Sequence, residues 1–276
     1  PLAGGRTSIG VVYNKELFGL PGEGDRPERY QHFVRQHPGL RELLADAEMD
    51  ETPSTFSHLP YRSRRYMDRG WALLGDAAAF MDPFYSPGLD HASMSVFATA
   101  LILRRDLSGE ADETALDGAV AAHNAAFAQS YDRWISALYE GKYEILGDAE
   151  LTTCAFLVDT ALYYLGVVTQ VYRDLEQIKN PTFGLPIPHT RIAYGIMRIF
   201  NRRMLRLARL RRQAGTYGRR NVEWRVLSKA FGLGSGSLGP LMRGLRLWAR
   251  LEVEGVFSRL RTGRVDSSAR VPAPAP

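Results

Sequence analysis

Residues Tyr61–Ala92, YRSRRYMDRGWALLGDAAAFMDPFYSPGLDHA, constrain this chain more than any other stretch. Trp71-Ala72-Leu73-Leu74 is a short apolar run between Gly70 and Gly75, a pattern that predicts a buried strand. Gly75 permits a tight turn or a close backbone approach. Asp76 then stands at the carboxyl end of the strand, where a carboxylate can accept hydrogen bonds from vicinal hydroxyls. Ala77, Ala78 and Ala79 leave room for a flat or extended ligand along the backbone. Asp82-Pro83 follows, with the aspartate seven residues after Gly75, and Pro83 and Pro87 fix φ through the loop. Gly88 lies five residues beyond Pro83 and precedes the apolar-periodic positions Leu89, Ala92, Val96, Ala100, Leu101 and Leu103. That predicts a helix start, whose free N–H groups form a site for negative charge. Gly-Asp alone is a common turn. Strand, Gly-Asp, alanine run, Asp-Pro and Gly-opened helix together are far more specific.

The residues Tyr61-Arg62-Ser63-Arg64-Arg65, Gly75-Asp76-Ala77-Ala78, Phe80, Asp82-Pro83 and Ser86-Pro87-Gly88 resemble the second flavin-binding motif of p-hydroxybenzoate-hydroxylase-type flavoproteins. Within that group they most resemble the flavin-dependent halogenases and their dehydrogenase-like relatives. The resemblance covers about 30 of the 276 residues. It implies FAD as cofactor, with Asp76 on the ribityl chain and Pro83 and the Gly88 turn facing the isoalloxazine ring. The cofactor-binding set it implies is Gly75, Asp76, Ala77, Pro83, Ser86, Pro87, Gly88 and Leu89. It names no catalytic residue and no metal site, because the family's catalytic lysine belongs to the front half of the enzyme.

Two departures bear on the chemistry. Tryptophan-acting halogenases carry a glutamate where this chain has Tyr85, whereas members acting on phenols or pyrroles often have an aromatic residue there. Pro87 removes one N–H from the turn at which the family holds halide. Monooxygenase, dehydrogenase and halogenase-like chemistry on an organic, aromatic or carrier-tethered substrate therefore all stay open.

The length of 276 residues suffices for one large domain or two smaller ones. Cys154 is the single cysteine, which excludes an internal disulfide framework and a cysteine-rich metal site. Its apolar surroundings predict a small buried side chain. Pro1–Gly10 has no basic segment followed by an apolar one, so a cytoplasmic enzyme without a signal peptide is expected. No strand–glycine loop–helix unit stands upstream of Tyr61, and the chain opens on Pro1 rather than Met. The expectation is the C-terminal portion of a longer enzyme, incomplete and inactive alone without its dinucleotide-binding front.

The fold class expected is α+β. Residues 1–107 form a partial FAD/substrate domain, 108–262 a helical region and 263–276 a disordered tail. Strands are expected at Ser8–Tyr13, Thr55–Leu59 and Tyr61–Tyr66, and a helix over Arg26–Ala45 broken at His37-Pro38-Gly39. Helical patterning continues through Ala111–Leu146, with Ala119, Ala122, Ala126, Phe127, Ile135, Leu138 and Tyr139 as its stripe. Leu151–Leu175, Thr190–Arg212, Val222–Phe231 and Leu238–Leu260 also read as helices. Leu151–Tyr172 is long enough to span a bilayer, but Asp159 inside it favours a buried core helix. Gly234-Ser235-Gly236-Ser237-Leu238-Gly239 matches G-x-G-x-x-G by letters, yet it follows a helix and meets Pro240, so it reads as a loop.

Arg198–Arg220 holds nine arginines and no acid, against a net charge of +5 for the whole chain. Phe200, Met204, Leu207 and Ala208 share one face of it. The bland reading is a solvated face on a docked helix. The functional readings are an acidic carrier protein or an anionic membrane surface, and not nucleic acid, since no aromatic platform interleaves the arginines. A non-catalytic helical interaction module using this face is the rival to the flavoenzyme reading.

Overall fold

The computed structural model describes residues 2–49, 52–57, 59–86, 88–165, 188–221 and 238–262. They divide into two compact units, one within residues 1–57 and one within residues 58–267. The first contains helices α1 (Arg26–Gln36) and α2 (Pro38–Leu43), separated at His37. Asp25 caps α1 by accepting the Glu28 N–H at 2.9 Å while Glu28 accepts the Asp25 N–H at 3.0 Å. Ser8–Tyr13 forms no strand, because no described segment pairs with it and a lone strand cannot satisfy its backbone.

The second unit begins with four two-residue strands: β1 (Tyr61–Arg62), β2 (Met67–Asp68), β3 (Trp71–Ala72) and β4 (Ala79–Phe80). β2 and β3 form a hairpin closed at Gly70, whose φ is 81°. β1 and β4 pair antiparallel, with Tyr61 opposite Phe80. The expected buried strand Trp71–Leu74 is therefore corrected. Trp71 and Ala72 pair with Asp68 and Met67, the Leu73 N–H donates to the Tyr66 carbonyl at 2.7 Å, and Trp71 and Leu74 stay exposed. The expected strand Tyr61–Tyr66 likewise shrinks to Tyr61–Arg62. Thr55–Ser57 is not a strand, and His58 lies outside the described residues.

Among the described residues the longer elements are helices: α3 (Gly88–Leu107), α4 (Glu113–Trp134), α5 (Tyr143–Leu146), α6 (Ala149–Tyr163), α7 (Pro188–Gln213) and α8 (Leu238–Thr262). A π-helical turn, Ile135–Tyr139, joins α4 to the α5 region. The whole is thus mostly helical with few, short strands. Val222–Phe231, the Gly234–Ser237 loop, residues 166–175 of the Leu151–Leu175 helix and the 263–276 tail lie outside the described residues.

α6 sits at the centre. Leu151, Cys154, Ala155, Leu157, Val158, Ala161 and Leu162 are all buried along it. α8 crosses it closely at Gly244, where a Cβ would stand 2.7 Å from Val158 Cγ2. No described helix is long and apolar enough to cross a membrane. The Cys154 thiol is fully buried, 3.5 Å from the Gly244 carbonyl, and burial pushes its pKa up. α7 buries Phe200, Met204, Leu207 and Ala208, the face its periodicity predicts.

Two helix faces differ from the expected stripes. On α3 the buried set is His91, Met94, Ser95, Ala98 and Thr99, while Leu89, Val96 and Leu103 point outward. On α4 Ala122 is exposed and His123 turns inward. The cause on α4 is Asn124. Its Oδ1 accepts the Tyr66 and Met67 N–H groups at 2.6 and 3.1 Å, and its Nδ2 donates to the Met67 carbonyl at 2.8 Å. Satisfying the strand backbone outweighs burying one more alanine.

Candidate functional site

The glycine-aspartate turn is built against α3. Gly75–Ala77 is one 3-10 turn, with Gly75 buried at φ 52°. The Gly75 N–H donates to Ser95 Oγ at 3.0 Å, and a Cβ on Gly75 would stand 3.2 Å from Ala92 Cβ. Left-handed φ and close approach both demand glycine here. Asp76 is exposed, and its carboxylate makes no hydrogen bond among the described residues. Its backbone carbonyl accepts from the Tyr61 hydroxyl. Asp76 Oδ1 lies 3.9 Å from where a Cβ on Gly88 would be, so the carboxylate stands at the opening of α3. The structure thus brings Gly75, Asp76 and Gly88 together. Ala77, Pro83, Ser86 and Leu89 are exposed nearby in sequence, and Pro87 lies outside the described residues. Asp90, in the first turn of α3, accepts a hydrogen bond from the Tyr163 hydroxyl of α6.

The loop before α3 is strained and braced. Tyr85 and Ser86 have φ of 68° and 51°, a region that non-glycine residues rarely occupy. Asp82 is buried, accepting the Phe84 N–H at 2.8 Å and the Tyr143 hydroxyl at 2.9 Å. Burial pushes the Asp82 carboxyl above its usual range, against these two hydrogen bonds. The Tyr139 hydroxyl donates to the Phe84 carbonyl at 2.5 Å. The Tyr85 hydroxyl donates to Asp159 Oδ2 at 3.0 Å, and the same oxygen takes Lys142 Nζ at 2.8 Å. Burial raises the Asp159 carboxyl, opposed by the Lys142 charge and the two hydrogen bonds. Tyr139 ends the π-helical turn, Lys142 stands just before α5 and Tyr143 opens it.

These braces escape a reading by motif. The one signal was Asp159, a lone carboxylate in an apolar helix, which requires a buried partner. Which cation supplies it could not be read from order along the chain.

On α7, Arg203, Arg209, Arg211 and Arg212 pair with Glu252, Glu144, Asp148 and Glu144, and Arg220 beyond it pairs with Glu150. Arg198, Arg202 and Arg219 are exposed.

No family model and no solved structure matches the chain. Curated relatives do. The sulochrin halogenase of Aspergillus terreus (strain NIH 2624 / FGSC A1156) is 29% identical over 142 residues, 49% of this chain and 25% of that protein. A flavin-dependent halogenase of Armillaria mellea is 26% identical over 194 residues, 64% of this chain and 36% of the relative. One from Acremonium egyptiacum is 29% identical over 139 residues, 49% and 24% respectively. The chain is flavin-dependent-halogenase-like. This halogenase-like chain spans about a quarter to a third of the length of the relatives it matches. The family resemblance expected from Tyr61–Ala92 agrees with these independent matches.

Proposed function

We propose that this chain is the C-terminal portion of an FAD-dependent oxidoreductase of the p-hydroxybenzoate-hydroxylase type, acting on an organic, aromatic or carrier-tethered substrate. The observation that carries this reading is the exposed Asp76 carboxylate held at the opening of α3 by the Gly75 turn. The residues fit the group. Asp76 has acceptor capacity free for ribityl hydroxyls among the described residues, and Gly88 adds no side chain at the opening of α3 beside it. When bound, the flavin supplies the redox chemistry, while the protein supplies position and charge. The first N–H groups of α3 favour negative charge on the ring by about 0.3–2 kcal/mol. Within the second unit, residues 59–107 then belong to the flavin side, and α4, α5 and α6 brace it through Asn124, Tyr143 and Asp159. The outward apolar face of α3, with Leu89, Val96, Phe97, Leu103 and Leu107, supports a longer parent protein in which further chain covers it.

Asp76→Ala in the full-length protein tests the reading. A hydrogen bond to a charged group is worth about 1.5–3 kcal/mol, so the FAD dissociation constant should rise roughly 10- to 100-fold. An unchanged constant with the fold intact overturns it.

Halide use is expected to be weak. The Ser86 N–H is taken by the Pro83 carbonyl at 3.1 Å, and Pro87 has none, so two donors are lost to the turn. With reduced flavin, oxygen, bromide and a phenolic substrate, mass analysis should find oxidised or hydroxylated product in excess of brominated product. Efficient bromination would restore a halogenase assignment.

The rival reading, a helical interaction module, has less support, since Arg203, Arg209, Arg211, Arg212 and Arg220 are engaged within the chain. An acidic carrier or anionic membrane surface would meet chiefly Arg198, Arg202 and Arg219.

A further inference from the structure

Lys142 and Asp159 are 0% and 2% exposed, and they sit 2.8 Å apart in the core of the helical region. Desolvating two charges costs several kcal/mol per ion, and an apolar pair of similar volume commonly stabilises a fold as well or better. Stability alone therefore does not account for the pair. Its geometry offers another account. Asp159 Oδ2 takes both Lys142 Nζ and the Tyr85 hydroxyl, while Oδ1 has no partner among the described residues. Lys142 Nζ also lies 5.9 Å from the Tyr85 ring centroid. The pair is aimed at one residue of the loop.

That residue is the first of two in left-handed conformation, which a non-glycine residue adopts only under strain. Such strain persists only where the surroundings over-determine it. Here three anchors act in succession: Tyr143 on Asp82, Tyr139 on the Phe84 carbonyl, and Asp159 on Tyr85. The next residues lead directly into the opening of α3. We infer that Lys142 and Asp159 are positioning residues, which through the Tyr85 hydroxyl fix the Tyr85–Ser86 turn and so set where α3 opens beside Asp76. This rests on the flavin-site reading above for its functional consequence, and on the loop geometry alone for the clamp.

The test uses the full-length protein with Lys142→Met/Asp159→Leu, Tyr85→Phe, and the triple variant. Replacing both charges together leaves no unpaired buried ion, so the first variant should fold; it orphans the Tyr85 hydroxyl, and the triple variant, which removes that hydroxyl too, should melt at or above wild type. Hydrogen exchange at residues 82–89 reads the clamp whether or not flavin binds, and should speed up about tenfold in all three. The FAD dissociation constant should rise about tenfold, with a shifted flavin absorption band. Because both changes act through one hydrogen bond, the triple variant should lose no more than the double. Wild-type exchange at residues 82–89 in the folded variants overturns the clamp, and fully additive losses overturn its route through Tyr85. Faster exchange with an unchanged constant and spectrum overturns the positioning role. A wild-type protein that binds no FAD overturns the site reading instead, and exchange still decides the clamp.

Discussion

Arg211→Ala should cost about 3–5 kcal/mol of folding stability. Arg211 is buried at the last turn of α7, where it donates to both oxygens of Asp148 at 2.8 and 3.0 Å. It also donates to Glu150 at 2.7 Å and Glu254 at 3.0 Å. Asp148 and Glu150 are 2% and 1% exposed. Asp148 is also the N-cap of α6, accepting the Leu151 N–H at 3.1 Å, and it takes the Gly218 N–H at 3.0 Å. Arg220 and Arg250 add to Glu150, so three arginines meet three carboxylates and the cluster is neutral as a whole. Removing Arg211 leaves Asp148 with backbone donors but no guanidinium, and the uncompensated buried charge dominates the loss. Arg209, by contrast, is 60% exposed on its side chain in its pair with Glu144, and Arg209→Ala should cost about 0–1 kcal/mol. Denaturant unfolding of the two variants side by side checks this. Equal, small losses would show that the Arg211 cluster is not the fixed point joining α6, α7 and α8.

Acidification should weaken the fold between pH 6.5 and pH 4 through two buried histidines. His91 and His123 are 1% and 3% exposed, and burial lowers each pKa from 6.5 to about 4. For His91 the Asp76 charge opposes that shift. His91 Nε2 and both ring nitrogens of His123 have no hydrogen-bond partner among the described residues. Each histidine is therefore held neutral. The unfolded chain takes up a proton below pH 6.5 that the native chain refuses until about pH 4, so stability is fully present above 6.5 and falls as pH drops through that window. Linkage gives about 2 kcal/mol per histidine at pH 5. Asp82 and Asp159, whose carboxyls are raised by burial, act in the opposite sense and gain on acidification. The contribution of the histidines is therefore isolated by comparison with His91→Leu/His123→Leu. The double variant should lose less stability than wild type between pH 7 and pH 5. Parallel pH dependences in the two proteins would contradict the neutral, buried state.

The sequence by itself determined the elements whose cause is local. Gly75 marks a turn because its left-handed φ suits glycine, and Gly88 opens α3 where the apolar period begins. The break at His37-Pro38, the length of α7 and its buried stripe of Phe200, Met204, Leu207 and Ala208 follow from capping, proline geometry and the 3.6-residue period. Those forces act between residues up to four positions apart. Tertiary structure decided the rest. Which face of α3 turns inward depends on Ser95 meeting the Gly75 N–H, and the rotation of α4 depends on Asn124 finding the backbone of Tyr66 and Met67, 58 and 57 residues away. The partners that brace the loop before α3 lie 55 to 74 residues from it. Asp159 favours a buried core helix in the sequence, and a buried carboxylate needs a partner. Choosing Lys142 among 35 lysines and arginines required the π-helical turn that carries it to α6. A buried charge imposes the need for a partner wherever it sits, but only the path of the chain through space determines which residue meets that need.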